Sequence, residues 1–343
     1  MTLLKGKTGT TVKQKWALSI VIFLLISMLA ACGAKDTTSN SSANEADKEK
    51  NGGTQAQAEQ VGELNLGMLP SIDAIPFVIA HEQGFDKKHG VNLKIQTFKS
   101  AKDRDVAFQA GKIEAISADL VALAIYNQAG LDVKATSTTF GEFDLLTGSA
   151  DIKEVKDLKG KDVILSKNTS TQYTVAMMLE QAGLTEDDIN ITEVPQIPTR
   201  LELLKNNKSD AAILPEPFVT MGKAAGLTVL SSTHTAEINP FILAIPQSVI
   251  DVKSKEIVAM YQAYNDAVDY MKTHKQDEYI DLIIKEVGYP TTLKNEITVP
   301  AYVAANQVDE KQVERAFAWA KTKGLLKKDI SPKEVISNVA FDK

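Results

Sequence analysis

From Leu64 onward the chain alternates short apolar runs with amphipathic stretches, and it does so in two successive rounds. In the first round LNLGM (64–68) predicts a strand, PSID (70–73) a loop, and 75–83 a helix stopped by Gly84. Val91, Leu93 and Ile95 alternate with polar residues, as a half-buried strand requires. Ser100 to Asp103 has the form of a capping box, opening a helix that Gly111 ends. AIS (115–117) is a short strand, Asp119 a cap for a helix over 120–129, and 133–137 another strand. The second round places strands at 162–165, 191–194 and 211–214, with helices over 171–182, 199–205 and 218–225. Repeated strand–helix–strand units build mainly parallel sheets with helices on both faces. Two rounds predict an α/β fold of two lobes, with the carboxyl ends of the strands facing a ligand cleft between them.

Residues 241–246 resume strand character and return the chain to the first lobe. The predicted division is 62–145 with 237–343 for the first lobe and 146–236 for the second. Beyond Lys253 the pattern is helical and amphipathic, and these helices are expected to pack on the first lobe.

The ends carry a separate signal. Lys5, Lys7, Lys13 and Lys15 precede a run, 16–31, with no charged residue. That run is short for a membrane span and suits the apolar core of a signal peptide over 1–31. It ends in Leu29-Ala30-Ala31-Cys32, which resembles a bacterial lipobox, so Cys32, the one cysteine of the chain, is the expected lipidation site. A lone cysteine also excludes disulfides and thiolate metal clusters within the chain. Residues 32–61 lack large apolar side chains and are expected to form a disordered tether. Removal of the leader's four lysines takes the formal charge from −6 to −10. An acidic body of this kind argues against a nucleic-acid partner.

The order of several segments resembles the ABC-transporter solute-binding proteins for sulfonates, nitrate and thiamine-pyrimidine precursors. These segments are Gly67-Met68-Leu69-Pro70, HEQGFDKKHGVNLKIQTF, AFQAGKIEAISAD, DLKGKDVILSKNTSTQYTVAMMLEQAGL and LKNNKSDAAILPEPF. Leu214-Pro215-Glu216-Pro217 stands where an apolar or aromatic step is common among sulfonate binders. The resemblance implies a type II periplasmic-binding fold, closure of two lobes over a small molecule, docking to a membrane permease, and attachment to the outer face of the cell membrane through the N-terminal lipid. The protein is expected to act as a monomer without a cofactor.

Candidate ligand contacts lie at predicted strand ends. Pro70, Ser71 and Asp73 follow the first strand, where Asp73 is either a ligand acceptor or a helix cap. Ser117 and Asp119 follow the third, with the same ambiguity. Ser166, Asn168, Thr169 and Ser170 open the second lobe, where hydroxyls and free N–H groups suit an anion or a carbonyl. The resemblance places this turn in the cleft, with Tyr173 in position to lie against a ring. Glu216, between two prolines, is a stiffened acceptor for a ligand N–H or cation. Phe140, Glu142, Phe143 and Asp144 lie near one presumed crossover and Asn239 near the other.

The carboxylates favour a nitrogen-containing solute such as an aminopyrimidine. The alternative is a small anion, an alkanesulfonate or nitrate, served by helix N-termini and by Lys167 or Arg104. An enzyme is the weaker expectation, because the chain has no G-x-S-x-G elbow, P-loop or G-x-G-x-x-G. A metal site is also weakly expected, because no H-x-x-x-H or H-x-H spacing occurs.

Overall fold

The computed structural model describes residues 62–341. The predicted leader, Cys32 and the tether lie outside the described residues. Strand β1 (Gly62–Met68) leads through a short 3-10 turn into α1 (Ile75–Glu82). Pro76 occupies the first turn of α1, where its missing N–H leaves no hydrogen bond unmade. Next come α2 (Phe85–Lys88), β2 (Val91–Thr97), α3 (Ala101–Gln109), β3 (Ala115–Asp119), α4 (Leu120–Gln128) and β4 (Val133–Thr138). Ser100 caps α3 by accepting from the Asp103 amide at 3.2 Å, as its sequence predicts.

The chain then enters a second unit. It holds β5 (Phe143–Thr147), β6 (Asp162–Leu165), α5 (Ser170–Gln181), β7 (Asn190–Glu193), α6 (Ile197–Lys205), β8 (Ala211–Pro215), α7 (Phe218–Ala224) and β9 (Thr228–Ser232). β10 (Phe241–Pro246) returns to the first unit, and α8 (Gln247–Thr273), α9 (Ile280–Ile283), α10 (Glu310–Thr322) and α11 (Pro332–Val335) complete the chain. No helix among the described residues is long and apolar enough to cross a membrane.

The two sheets repeat one pattern, β2-β1-β3-β10-β4 and β7-β6-β8-β5-β9. Both are mixed. β1 runs parallel to β2 and β3, and β6 runs parallel to β7 and β8. β10 is antiparallel to β3 and β4, and β5 is antiparallel to β8 and β9. The reason is directional. Parallel strands deliver their carboxyl ends to one edge, so a chain arriving from the other unit enters at that edge and must run away from it. The second sheet takes the chain from Phe143, slightly ahead of the division at 145/146 suggested by sequence.

β8 and the first four residues of β3 are buried, and β10 is buried up to Pro246. Such near-continuous apolar runs are what strands covered on both faces require. α8 covers one face of the first sheet, with Tyr264 against Phe77 of α1 at 4.9 Å between ring centroids. α10 buries Val313, Ala316, Phe317 and Ala320, a stripe at helical spacing, and packs on α4. The C-terminal helices are not confined to the first unit. Trp319 of α10 meets Tyr173 of α5 edge to face at 5.6 Å, and Arg315 approaches Glu180 at 3.7 Å. The outer strand β4 is flanked by the C-terminal segment: Ile336 bridges Ala135 in parallel, and the Ser337 amide donates to the Ala135 carbonyl at 3.0 Å.

Gly141 lies on the first crossover, where a methyl group would overlap the ring of Phe241. That ring also packs on Phe143 at 4.8 Å. Gly141→Ala should therefore lower stability by about 1–3 kcal/mol through overpacking. An unchanged urea midpoint would show that the crossover yields freely.

Candidate functional site

The ends of β1 and β3 and the start of α5 form one group. The N–H donors of Val121 and Ala122 both reach the Asp119 carboxylate at 2.9 Å, so Asp119 caps α4. Ser170, from the second unit, lies near the same carboxylate, where α5 meets α4. Asp73 is buried beside Ser71, whose hydroxyl donates to it, and beside Ser117. Ser71, not Asp73, is the residue preceding the 3-10 turn, and its hydroxyl makes no capping bond there. Burial pushes the carboxyls of Asp73 and Asp119 above the ordinary range, opposed by these hydrogen bonds and by Arg104. Arg104 is itself buried, pairing with Asp105 at 2.8 Å and donating to the Ser117 carbonyl. It is thus already engaged, and Lys167 is exposed.

Turn 166–170 is held largely by its own bonds. Thr169 Oγ1 accepts from the Thr171 amide at 3.3 Å and donates to the Ser166 carbonyl at 2.8 Å. Asn168 sits at φ 59°, a left-handed conformation that asparagine tolerates. Its amide donates to Gln172 Oε1 at 2.7 Å.

The second group is acidic. Glu216 accepts from the Thr220 amide at 3.0 Å and from the Thr220 hydroxyl at 2.9 Å, so it caps the start of α7. The Glu216–Pro217 peptide is cis. Glu142 and Asp144 lie close enough to Glu216 for all three to repel, with Lys223 opposing. Tyr289, from the C-terminal region, lies near Glu216; burial and that carboxylate hold its phenol well above the ordinary range. Tyr302 donates to the Ile72 carbonyl at 2.7 Å and stacks edge-on against Phe140 at 5.5 Å. Tyr302 lies near both Asp73 and Tyr289, so the tyrosines connect the two groups. Sequence inspection missed Tyr289, Tyr302 and Tyr264, which the chain contributes more than a hundred residues after β4. The one local sign is Gly288-Tyr289-Pro290, an aromatic ring fixed between two chain-turning residues.

Two candidates fall elsewhere. Tyr173 has no exposed surface and spends its ring on Trp319, so it offers no face to a solute. Asn239 Oδ1 accepts from the Phe241 amide at 3.2 Å and shapes the second crossover. Pro70 is half-buried at the mouth of β1. Among the histidines, His81 pairs with buried Asp86 at 2.7 Å and His89 with Asp266 at 3.0 Å.

Asp144 is pushed up to about 7, first by burial and then by Glu142 and Glu216. An aspartate in an unfolded chain ionises near 4 (about 3.9). The unfolded chain therefore sheds its proton first, and the folded state loses stability as pH rises from about 4 to about 7. Asp144→Asn should be more stable than the parent at neutral pH and lose that advantage in acid. Urea unfolding at both pH values checks this; a constant difference would show that Asp144 does not titrate late.

The profile of the NMT1-like family matches residues 57–285. A Bacillus subtilis protein named as an aliphatic sulfonates-binding protein is 24% identical over 340 residues, covering 94% of this chain and 95% of its own. A Brachyspira hyodysenteriae protein named as an ABC transporter periplasmic binding protein is 22% identical over 275 residues, covering 74% and 73%. Among solved structures, the periplasmic aliphatic sulphonate binding protein of Escherichia coli superposes with a TM-score of 0.69 at 18% identity, covering 80% of this chain and 92% of that one. The last likeness extends to the fold, two mixed sheets in the periplasmic-binding arrangement. Because the profile spans well over half of its length, the chain belongs to the NMT1-like family.

Proposed function

We propose that this protein is the solute-binding component of an ABC importer, and that its two units close on a small anion of the alkanesulfonate or nitrate class. The observation that carries the binding role is the meeting of Ser170, at the start of α5, with Asp119, at the start of α4. Residues at strand and helix ends of both sheets converge there, where ligands of open α/β sheets bind. The names of the two relatives support transport, and that of the Bacillus subtilis protein supports a sulfonate. The N-terminus of α5, with its N–H groups and Ser170, offers an anion the favourable end of a helix. Raised carboxyls soften the objection that the cleft is acidic. A carboxyl that keeps its proton, as Asp144 does up to about 7, donates a hydrogen bond and adds no negative charge.

The second reading is a nitrogen-containing solute such as an aminopyrimidine. Glu142, Asp144 and Glu216, gathered beside Tyr289, favour it because carboxylates accept from amines. The two readings differ in which residues matter. Calorimetry with a short alkanesulfonate, nitrate and an aminopyrimidine separates them. The anion reading expects sulfonate or nitrate binding that Ser170→Ala weakens and Glu216→Gln leaves nearly intact. Aminopyrimidine binding lost in Glu216→Gln would transfer the site to the second reading. Binding of none of the three would remove both solute classes.

Binding rather than turnover is supported by the site's chemistry. Its hydroxyls and carboxylates cap helices, and His81 and His89 are engaged by Asp86 and Asp266. Closure follows if solute contacts exist only in the closed state, since a ligand shifts an equilibrium by its differential affinity. A permease would recognise the closed form of a monomer. Cys32 is proposed to carry the lipid that holds the protein at the outer face of the membrane. Cys32→Ser should then move the protein from the membrane fraction to the soluble fraction, and continued sedimentation with membranes would refute the anchor.

A further inference from the structure

Three bonds in series join the C-terminal helix of the first unit to the turn that opens the second. Lys323, which caps the end of α10, pairs with Glu186 Oε2 at 2.5 Å. Glu186 Oε1 accepts from Gln172 Nε2 at 2.7 Å. Gln172 Oε1 accepts from the Asn168 amide at 2.7 Å. Each link is sheltered: Gln172 is buried, and the side chains of Glu186 and Lys323 are 14% and 28% exposed. Lys323 also lies over the Trp319 ring at 5.8 Å, which limits its freedom to swing away.

The chemistry of the chain of bonds gives it a direction. A glutamine amide has one accepting and one donating end, so Gln172 can serve both neighbours in one orientation only. Its acceptor must face the Asn168 amide while its NH₂ faces Glu186. Glu186 holds that orientation, and Lys323 holds Glu186. The Asn168 amide is the residue's donor in a left-handed conformation that a non-glycine residue adopts at some cost. Lys323 comes from the unit of the first sheet, whereas Glu186, Gln172 and Asn168 belong to the second. Contact between the units is therefore written into the shape of the turn.

We propose that Lys323, Glu186 and Gln172 form a positioning relay, through which docking of α10 on the second unit fixes turn 166–170 in its ligand-ready shape. The significance of the relay for uptake rests on the proposed solute role of that turn, but the relay itself does not need a solute to be observed. Separation of the units breaks the Lys323–Glu186 pair, frees Gln172 and loosens the turn. Closure orders it again. None of the three residues needs to touch solute.

The test is amide hydrogen exchange at Asn168 in the full chain without solute. Gln172→Met, which removes the acceptor, sets the fully released rate. Lys323→Met should speed Asn168 exchange by about fivefold or more. It should add nothing in the Gln172→Met background, since members of one network are not additive. Arg315→Met is the control: it breaks the other interunit ion pair, which does not lead to the turn. It should leave Asn168 exchange unchanged. An unchanged rate in Lys323→Met, or an equal rise in Arg315→Met, would overturn the relay. A failed solute screen would bear on the function of the turn and leave this result standing.

Discussion

β10 lies between β3 and β4 although more than a hundred residues separate it from either, and β5 occupies the equivalent slot between β8 and β9. The second sheet is built from one continuous stretch, β5 to β9, whereas the first is finished only when β10 returns from it, and that return requires the two crossovers. The placing of one backward-running strand in each sheet organises the rest of the fold. It makes both sheets mixed, because a strand arriving at the carboxyl edge must run backwards. It places Glu142 on one crossover, Asp144 at the start of β5 and Asn239 on the other crossover. It also keeps the units side by side, so that helix starts from both can meet at Asp119 and Ser170.

Charge in the cleft is shaped by burial more than by pairing. Formal counting gives Asp73, Asp119, Glu142, Asp144 and Glu216 against Lys223 and an already engaged Arg104. Desolvation raises four of these carboxyls, Asp73, Asp119, Asp144 and Glu216. The region is consequently less anionic than its sequence suggests near neutrality. A site of that kind can accept either charge of ligand according to which protons it keeps. Residue types alone pointed to an amine, whereas the Bacillus subtilis relative is named for a sulfonate.

The alternation of apolar runs and helices made the two-unit fold legible, and cap residues such as Ser100 and Asp119 set several boundaries closely. β5 and β9 were less visible. FDLLT offers only two consecutive apolar residues flanked by polar ones, and TVLSS lies half-exposed at a sheet edge. The second role of α10 was hidden because its apolar stripe announces one buried face and says nothing of Trp319 reaching another unit. For the candidate site, local pattern pointed to strand-end residues of both sheets. Tyr289 and Tyr302 were not, since their place beside Glu216 and Asp73 depends on how the C-terminal helices fold back. Tyr173 misled because a ring at a helix start looks the same in sequence whether it faces a cleft or another helix.

The C-terminal segment that bridges β4 has a consequence of its own. An uncovered outer strand offers its unpaired N–H and C=O groups to any passing chain and so invites edge-to-edge aggregation. Ile336 and Ser337 occupy that edge at Ala135, and Lys134 ties it further by donating to the Glu334 carbonyl at 2.6 Å. Segment 334–337 thus acts as a guard against self-association.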